Sequence, residues 1–220
     1  LIFSITAHSA DWSTWGGDAT RNMVSLETDL DLDFNPGEMN DDETVDMSTT
    51  QNVKWVAKLG SQAYGNVTIG NGRVFAGTNN ESPRDEGKKG DRGVVMCFDE
   101  KSGELDWQLV IPKLGAGKVS DWEYIGVCSS PAIEGDRVYV VTNKCEVVCL
   151  DIAGFSNGND GPFMDEASYV KPKGTQDLLN EKLDADILWI YDMRDQLGVF
   201  PHNVTSSSPL IKYFGGDVNA

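Results

Sequence analysis

The sequence predicts an all-β fold made of repeated, four-stranded antiparallel sheets. Three observations support this prediction. The apolar runs are short, turns containing glycine separate them, and the same order of residues returns with a period of about 50 residues. The 23 glycines in 220 residues, together with a modest hydrophobic content of 40%, fit many short strands joined by tight turns.

The clearest single element is a hairpin over residues 94–107. Residues 94–98 form an apolar run that predicts a buried strand. Asp99 follows this run, and its side chain can bond to the backbone of the next residues. Gly103 supplies the positive φ that closes a short hairpin loop, and a second strand then ends at Trp107.

Two copies of one pattern can be overlaid. Within residues 130–143, residues 131–143 match residues 67–79 at a constant offset of 143 − 79 = 64, and residues 147–151 match residues 95–99 at an offset of 151 − 99 = 52. The first copy therefore carries 64 − 52 = 12 extra residues. We assign them to an exposed polar loop near residues 80–91.

The second copy contains a long insertion where the first has a tight turn. The insertion spans residues 154–184, after which residues 186–189 match residues 104–107, and residues 206–211 open a third copy. Because each such sheet can bury its faces only against neighbouring copies, the repeat predicts a β-propeller. Neither the WD40 nor the kelch signature is present, and helical periodicity is absent.

The predicted organisation follows from these copies. In chain order it comprises a signal-peptide remnant (residues 1–10), an N-terminal segment with an acidic arm (11–51), a first propeller repeat (52–110), a second repeat with the insertion (111–200) and the truncated start of a third (201–220). A propeller closes with about four to eight blades. We therefore expect about two whole blades plus pieces of a partial ring.

The first ten residues are apolar and then small, which is typical of the end of a secretory signal peptide; a buried first strand is the alternative. We accordingly expect an exported protein, periplasmic or extracellular. A net charge of −17 argues against nucleic acid or anionic membranes as partners. No apolar run reaches the ~18 residues of a membrane span.

The hairpin carries a recognisable motif. Cys97, Asp99, Ser102, Gly103 and Trp107 resemble the Ala-x-Asp-x-x-Thr-Gly-x-x-x-Trp pattern of tryptophan-docking repeats in quinoprotein-type propellers, with small residues exchanged for small residues. The positions that resemble this motif in other copies are Trp55, Cys149, Asp151 and Trp189. The chain is most similar to exported PQQ-binding-like or BamB-like β-propeller repeat proteins, including planctomycete families. The resemblance implies that the tryptophans dock between adjacent blades.

The resemblance implies two alternative functions. The first is a non-catalytic binding or assembly scaffold, BamB-like, that contacts protein partners through loops or through the insertion at residues 154–184. The alternative is a PQQ- and calcium-dependent alcohol or sugar dehydrogenase. Such enzymes commonly carry two vicinal cysteines, whereas Cys128 is followed by Ser129. No catalytic or cofactor-binding residue can be assigned from the sequence.

Two segments have side chains of the type that bind calcium. Asp29, Asp31 and Asp33 alternate as in an EF-hand loop, but that loop needs glycine at its sixth position and glutamate at its twelfth, and neither is present. We predict a solvated acidic loop there. Residues 157–161, Asn-Gly-Asn-Asp-Gly, offer side-chain oxygens for calcium, and an ordinary turn-rich loop is the alternative.

The cysteines and histidines offer little chemistry. Cys97, Cys128, Cys145 and Cys149 form no Cys-x-x-Cys pair, which argues against a zinc or thioredoxin-type site. We expect Cys97 and Cys149 to be small buried residues, and the disulfide state is left open. His202 stands alone in a predicted loop, so no multi-histidine site or catalytic triad can be built around it.

Overall fold

The fold was analysed in a computed structural model, which describes residues 11–28, 30, 33–117, 119–171 and 179–212. The predicted signal-peptide remnant, Asp29, Asp31 and residues 213–220 lie outside the described residues. The strands are β1 (Glu38–Met39), β2 (Val45–Asp46), β3 (Thr68–Gly70), β4 (Arg73–Asn79), β5 (Arg92–Asp99), β6 (Leu105–Pro112), β7 (Ala132–Glu134), β8 (Arg137–Val141), β9 (Glu146–Asp151) and β10 (Ile187–Asp192).

The helices are short. The α-helices are α1 (Glu166–Val170) and α2 (Met193–Leu197), and the 3-10 helices are Met47–Thr49, Glu86–Lys88 and Gly154–Asn157. Among the described residues, no helix is long and apolar enough to cross a membrane.

Two four-stranded antiparallel sheets form the body of the fold. The first blade has the strand order β3-β4-β5-β6, and the second has the order β7-β8-β9-β10. Each strand pairs with its neighbour in sequence, so each sheet is a simple meander. The predicted all-β architecture of four-stranded antiparallel blades is confirmed. A separate small sheet of β1 and β2 lies in the acidic arm.

The two blades repeat at the level of single hydrogen bonds. In the first blade the Asp99 amide donates to the Glu104 carbonyl at 2.9 Å, and in the second the Asp151 amide donates to the Asp186 carbonyl at 3.1 Å. The offset has grown from 52 residues at Asp151 to 186 − 104 = 82 at Asp186. The second blade therefore absorbs 82 − 52 = 30 extra residues without changing this pairing.

The segments that precede β3, β7 and the start of the third copy lie side by side. The Asn66 amide donates to Ser130 Oγ at 2.8 Å, and the Ser130 amide donates to Ser208 Oγ at 3.0 Å. Ser208 thus stands in the same relation to the second blade as Ser130 does to the first. The start of the third copy follows the second in space, although residues 199–212 form no strand.

The N-terminal tryptophan segment crosses both blades. The Trp12 carbonyl accepts a hydrogen bond from the Ile69 amide at 3.0 Å, and the Ser13 carbonyl accepts one from the Ile133 amide at 2.7 Å. This segment therefore occupies the free edges of β3 and β7.

The main core lies between the two blades. One face of the first blade and one face of the second share a buried cluster whose largest members are Phe75, Trp107, Leu109, Ile111, Leu150, Tyr169 and Ile187. The opposite face of the first blade is covered by Trp55, Ala57 and Leu59. Residues 53–60, near the start of the predicted first repeat, form no strand.

The insertion folds onto the outer edge of the first blade. The Gln108 amide of β6 donates to the Leu183 carbonyl at 2.7 Å, and the Ala185 amide donates to the Gln108 carbonyl at 2.8 Å. Tyr169 and Val170 of α1 are buried in the core between the blades. The described part of the insertion therefore protects an edge strand that would otherwise be open to pairing. Residues 172–178 lie outside the described residues.

The loop near residues 80–91 is largely exposed, as predicted, but its Asn80 and Lys88 are buried. Lys88 is fully buried, and its Nζ contacts Asp184 Oδ2 at 2.5 Å and Asp85 Oδ2 at 2.9 Å. Arg92, at the start of β5, is also buried and donates from Nη1 to the Val170 carbonyl at 2.9 Å. The insertion therefore supplies one partner to each of these two buried cations.

Candidate functional site

The tryptophan of the first repeat motif docks between the two blades. We call the turn that receives its indole ring a tryptophan seat. Trp107 lies on β6 and is 2% exposed. Its Nε1 donates to the Ile152 carbonyl at 2.9 Å, just after β9 of the next blade. Gly154 has φ +57°, and a Cβ there would lie 2.8 Å from Trp107 Cδ1. The turn of the second blade therefore forms a closely fitting seat for this indole.

Trp55 occupies an equivalent seat on the first blade. Its Nε1 donates to the Glu100 carbonyl at 2.9 Å, and a Cβ on Gly103, at φ +75°, would collide with its ring. The positive φ expected for Gly103 is observed, and Asp99 Oδ1 accepts from the Ser102 amide at 2.8 Å in the same turn. The turn of each blade thus accepts the tryptophan that precedes it in the chain.

The remaining motif residues lie in matching places. Cys97 pairs with Trp107 across β5 and β6, and Cys149 pairs with Trp189 across β9 and β10. Both cysteines are buried and free; burial raises the pKa of both thiols, that of Cys149 to about 11. Trp189 is half-buried, and its ring stacks at a tilt on Tyr139 with centroids 6.0 Å apart. The two cysteines and Trp189 therefore contribute to the packing of the blades.

Asp121 organises the connection between the two blades. This carboxylate is 4% exposed, and it accepts from Lys113 Nζ at 2.6 Å, from the Leu114 amide at 2.9 Å and from Asn143 Nδ2 at 3.1 Å. A carboxylate that accepts several bonds fixes the loop around it. The residues that follow Asp121 are held in place by it.

An apolar surface emerges from this connection. Val119, Trp122 and Tyr124 are 63%, 46% and 44% exposed. The Trp122 amide donates to the Asn203 carbonyl at 2.7 Å, and the Asn203 amide donates to the Val119 carbonyl at 2.5 Å. We call residues 119–124 and 197–203 the loop surface.

The second half of the loop surface is equally apolar. Its exposed side chains are Leu197, Val199 and Phe200, at 59%, 45% and 58%. The sequence analysis did not single out this surface, because its two halves are far apart in the chain. The sequence signal that could have indicated this surface is the presence of aromatic residues in polar, turn-rich connections.

A groove lies among the segments that precede β3, β7 and the start of the third copy. Its lining residues are Trp15, Arg21, Tyr64, Gly65, Asn66, Cys128, Ser130, Ser206, Ser207, Ser208 and Leu210. Arg21 Nη2 donates to the Ser208 and Pro209 carbonyls at 3.0 Å, and burial raises the pKa of the Cys128 thiol to about 11. In the described part of the chain this lining holds no carboxylate. It offers hydroxyl and amide oxygens but lacks the carboxylate base that the resemblance implies for a PQQ-dependent dehydrogenase.

The turn-rich residues 157–161 fold over an acidic cluster. Asp151, Asp160 and Asp186 each place a carboxylate oxygen within 4.8 Å of the others. Asn157 Nδ2 donates to Asp151 Oδ2 at 3.3 Å and to Asp160 Oδ2 at 3.2 Å. Burial, reinforced by the charges of Glu166 and the two other aspartates, raises the pKa of Asp186 to about 6. We call this cluster and its opening the acidic cleft.

The acidic cleft opens beside the outer strand of the second blade. Its opening is lined by Asp136, Arg137, Asp151, Asp160, Gly161, Pro162, Leu188 and Trp189. Asp160 is exposed, whereas Asp186 is fully buried. Asp33, the described member of the EF-hand-like series, is not part of the cleft.

A comparison with models of protein families identifies the family to which the chain belongs. A family model described as outer membrane protein assembly factor BamB matches residues 41–155 and 89–199 in two overlapping matches. The chain belongs to this family of PQQ-like repeat propellers. Together the two matches span residues 41–199, which include both four-stranded blades of this BamB-like propeller and the seats of Trp55 and Trp107. No curated protein matches the chain.

Proposed function

We propose that the protein is an exported, non-catalytic binding or assembly scaffold that contacts a protein partner through the loop surface. The observation that carries this proposal is the set of exposed apolar side chains at residues 119–124 and 197–203. Contiguous exposed apolar surface on a folded protein is typical of an interaction site. Membership of a family described by an assembly factor supports the same function.

The loop surface is organised before any partner arrives. Asp121 fixes one half through three hydrogen bonds, and Asn203 joins the two halves through backbone bonds. Less conformational entropy is lost on binding when the contact residues are already ordered. Aromatic residues such as Trp122 and Tyr124 are also enriched in the centres of protein interfaces.

The insertion contributes less to this function than its length suggests. Its described residues include Glu166, Tyr169 and Val170, which are buried, so deletion of residues 154–184 would remove core contacts together with any binding surface. A point substitution on the loop surface separates binding from folding more cleanly.

Site-specific photocrosslinking tests the proposal. A photoreactive phenylalanine analogue replaces Trp122 in one variant and Phe200 in a second, and Tyr191 on β10 is the control because it is 40% exposed but lies outside the loop surface. In an extract of the source organism, we expect one protein to be crosslinked from positions 122 and 200 and not from 191. The double variant Trp122→Ser, Phe200→Ser should lose this partner without a change in melting temperature.

Two results would overturn the proposal. One is a crosslinking pattern that is the same at positions 122, 200 and 191. The other is dye-linked alcohol oxidation after addition of PQQ and calcium ions, with saturable PQQ binding, which would establish the dehydrogenase alternative. The described residues of the inner groove lack a carboxylate, so we expect no such turnover.

A further inference from the structure

The acidic cleft concentrates negative charge, although Arg137 lines its opening and lies opposite Asp151 across β8 and β9. Asp151, Asp160 and Asp186 converge within 4.8 Å, and none of them forms an ion pair with a described lysine or arginine. Each carboxylate repels the others, and burial strengthens that repulsion. A cluster of this kind alone does not define a site, because exposed acidic groups are often simply solvated.

Asp186 provides the second, independent observation. Its side chain is fully buried, and Oδ1 accepts no hydrogen bond from any described residue. Oδ2 accepts the Asp160 amide at 2.9 Å. A buried carboxylate oxygen without a donor is unfavourable unless something else satisfies it. Asp186 belongs to the cluster, so a cation bound there would neutralise this buried carboxylate.

Calcium suits the cluster better than magnesium because calcium tolerates flexible coordination geometries. Calcium binds oxygen ligands at about 2.3–2.6 Å in flexible geometries, so oxygens on opposite sides of the ion lie up to ~5 Å apart. The 4.8 Å limit on the separations of the three oxygens lies within this range. Magnesium requires about 2.0–2.1 Å and a near-ideal octahedron, which a mixed set of strand and loop residues provides less readily.

We propose that Asp151, Asp160 and Asp186 bind a calcium ion that ties the insertion to the second blade. Asp151 ends β9 and Asp186 lies just before β10, whereas Asp160 comes from the insertion. The ion joins all three segments, and the exposed side chain of Asp160 provides its route from solvent.

The first blade explains why this site occurs only in the second of the two described blades. The residue that corresponds to Asp186 there is Glu104, which is exposed, and Asp99 is used by the backbone and hydroxyl of its own tight turn. No residue equivalent to Asp160 exists in that turn, because the 30 extra residues are absent. The site is therefore a product of the insertion.

Terbium luminescence tests the site directly. Terbium ions replace calcium at oxygen sites, and the Trp189 indole, which lines the same opening, can sensitise their emission. We expect saturable terbium luminescence that calcium displaces and magnesium displaces poorly. Calcium at ~100 times its Kd should also raise the Tm of the full chain by about 5 °C.

Matched variants distinguish the site from the general acidity of the chain. Asp160→Asn, at an exposed position, should weaken calcium binding about tenfold, and Asp186→Asn should abolish it. Asp136→Asn is the control because its side chain is 81% exposed and lines the opening without belonging to the cluster. Trp189→Phe should reduce terbium emission and leave the calcium-dependent Tm shift.

The proposal is overturned if the wild-type chain shows neither terbium luminescence nor a Tm shift at millimolar calcium. It is also overturned if Asp160→Asn responds to calcium as Asp136→Asn does. Asp160 is on the surface, so its substitution should fold and either result can be interpreted even if Asp186→Asn does not fold.

Discussion

The two blades carry their extra residues in different connections. The first has a long loop between β4 and β5 and a tight turn between β5 and β6, whereas the second has a tight turn between β8 and β9 and the insertion between β9 and β10. The strand pairing is the same in both. The difference teaches that the four-stranded sheet fixes the frame, while the connections supply the contacts that distinguish one blade from the other.

The two long connections meet each other. Lys88 of the first blade's loop and Asp184 of the second blade's insertion are both fully buried and form an ion pair. Asp184 Oδ2 also accepts the Asn180 amide at 2.7 Å. Each connection therefore supplies the oppositely charged partner of the buried side chain that the other connection contributes.

The tryptophan seats provide the largest test of this comparison. Trp107→Ala should lower the free energy of unfolding by ~3–5 kcal/mol, because it leaves a cavity between the blades and an unpaired Ile152 carbonyl. Trp55→Ala should have a smaller effect, since Trp55 is only partly buried and covers a single blade. Urea unfolding followed by circular dichroism measures both. Equal losses for the two variants would contradict the distinction between an interior seat and an outer seat.

The ion pair between the connections is the next test. Lys88→Met should destabilise the fold by about 3 kcal/mol, because it leaves the Asp184 carboxylate buried without its cation. Burial already raises the pKa of Asp184, so losing the lysine should raise it further. The double variant Lys88→Met, Asp184→Leu should recover part of the loss in the same urea experiment. Lys89→Met is the control, since Lys89 is 61% exposed in its pair with Glu86.

The glycine of the second seat gives the smallest effect and the closest control. Gly154 and Gly135 both have φ +57°, but a Cβ on Gly154 would press on Trp107 whereas one on Gly135 meets no atom within 4 Å. Both alanine variants should pay the strain of a positive φ, about 1 kcal/mol. Gly154→Ala should cost roughly 1–2 kcal/mol more than Gly135→Ala, as measured by thermal unfolding. Identical melting temperatures would show that Trp107 adjusts freely.

Local pattern determined much of the architecture. Apolar runs with glycine turns recur in this chain, and runs joined by short turns favour antiparallel pairing with their sequence neighbours, so the repeat predicts the four-stranded meanders. The repeat also predicts that Cys97 and Cys149 hold matching positions, and each does pair with a tryptophan, Trp107 or Trp189. The register shift beside each pair does not follow from simple alternation along the strands. The offsets also locate the extra residues, which lie in the connections.

Only the tertiary structure decided what those connections do. Polar residues in a loop read as solvated from sequence, yet Lys88 is buried because a carboxylate 96 positions away reaches it. The loop surface and the acidic cleft likewise join residues that are distant in the chain, such as Trp122 with Asn203 and Asp151 with Asp186. Local propensity carries no information about such long-range contacts, since they depend on how the blades pack and on how the insertion runs along β6.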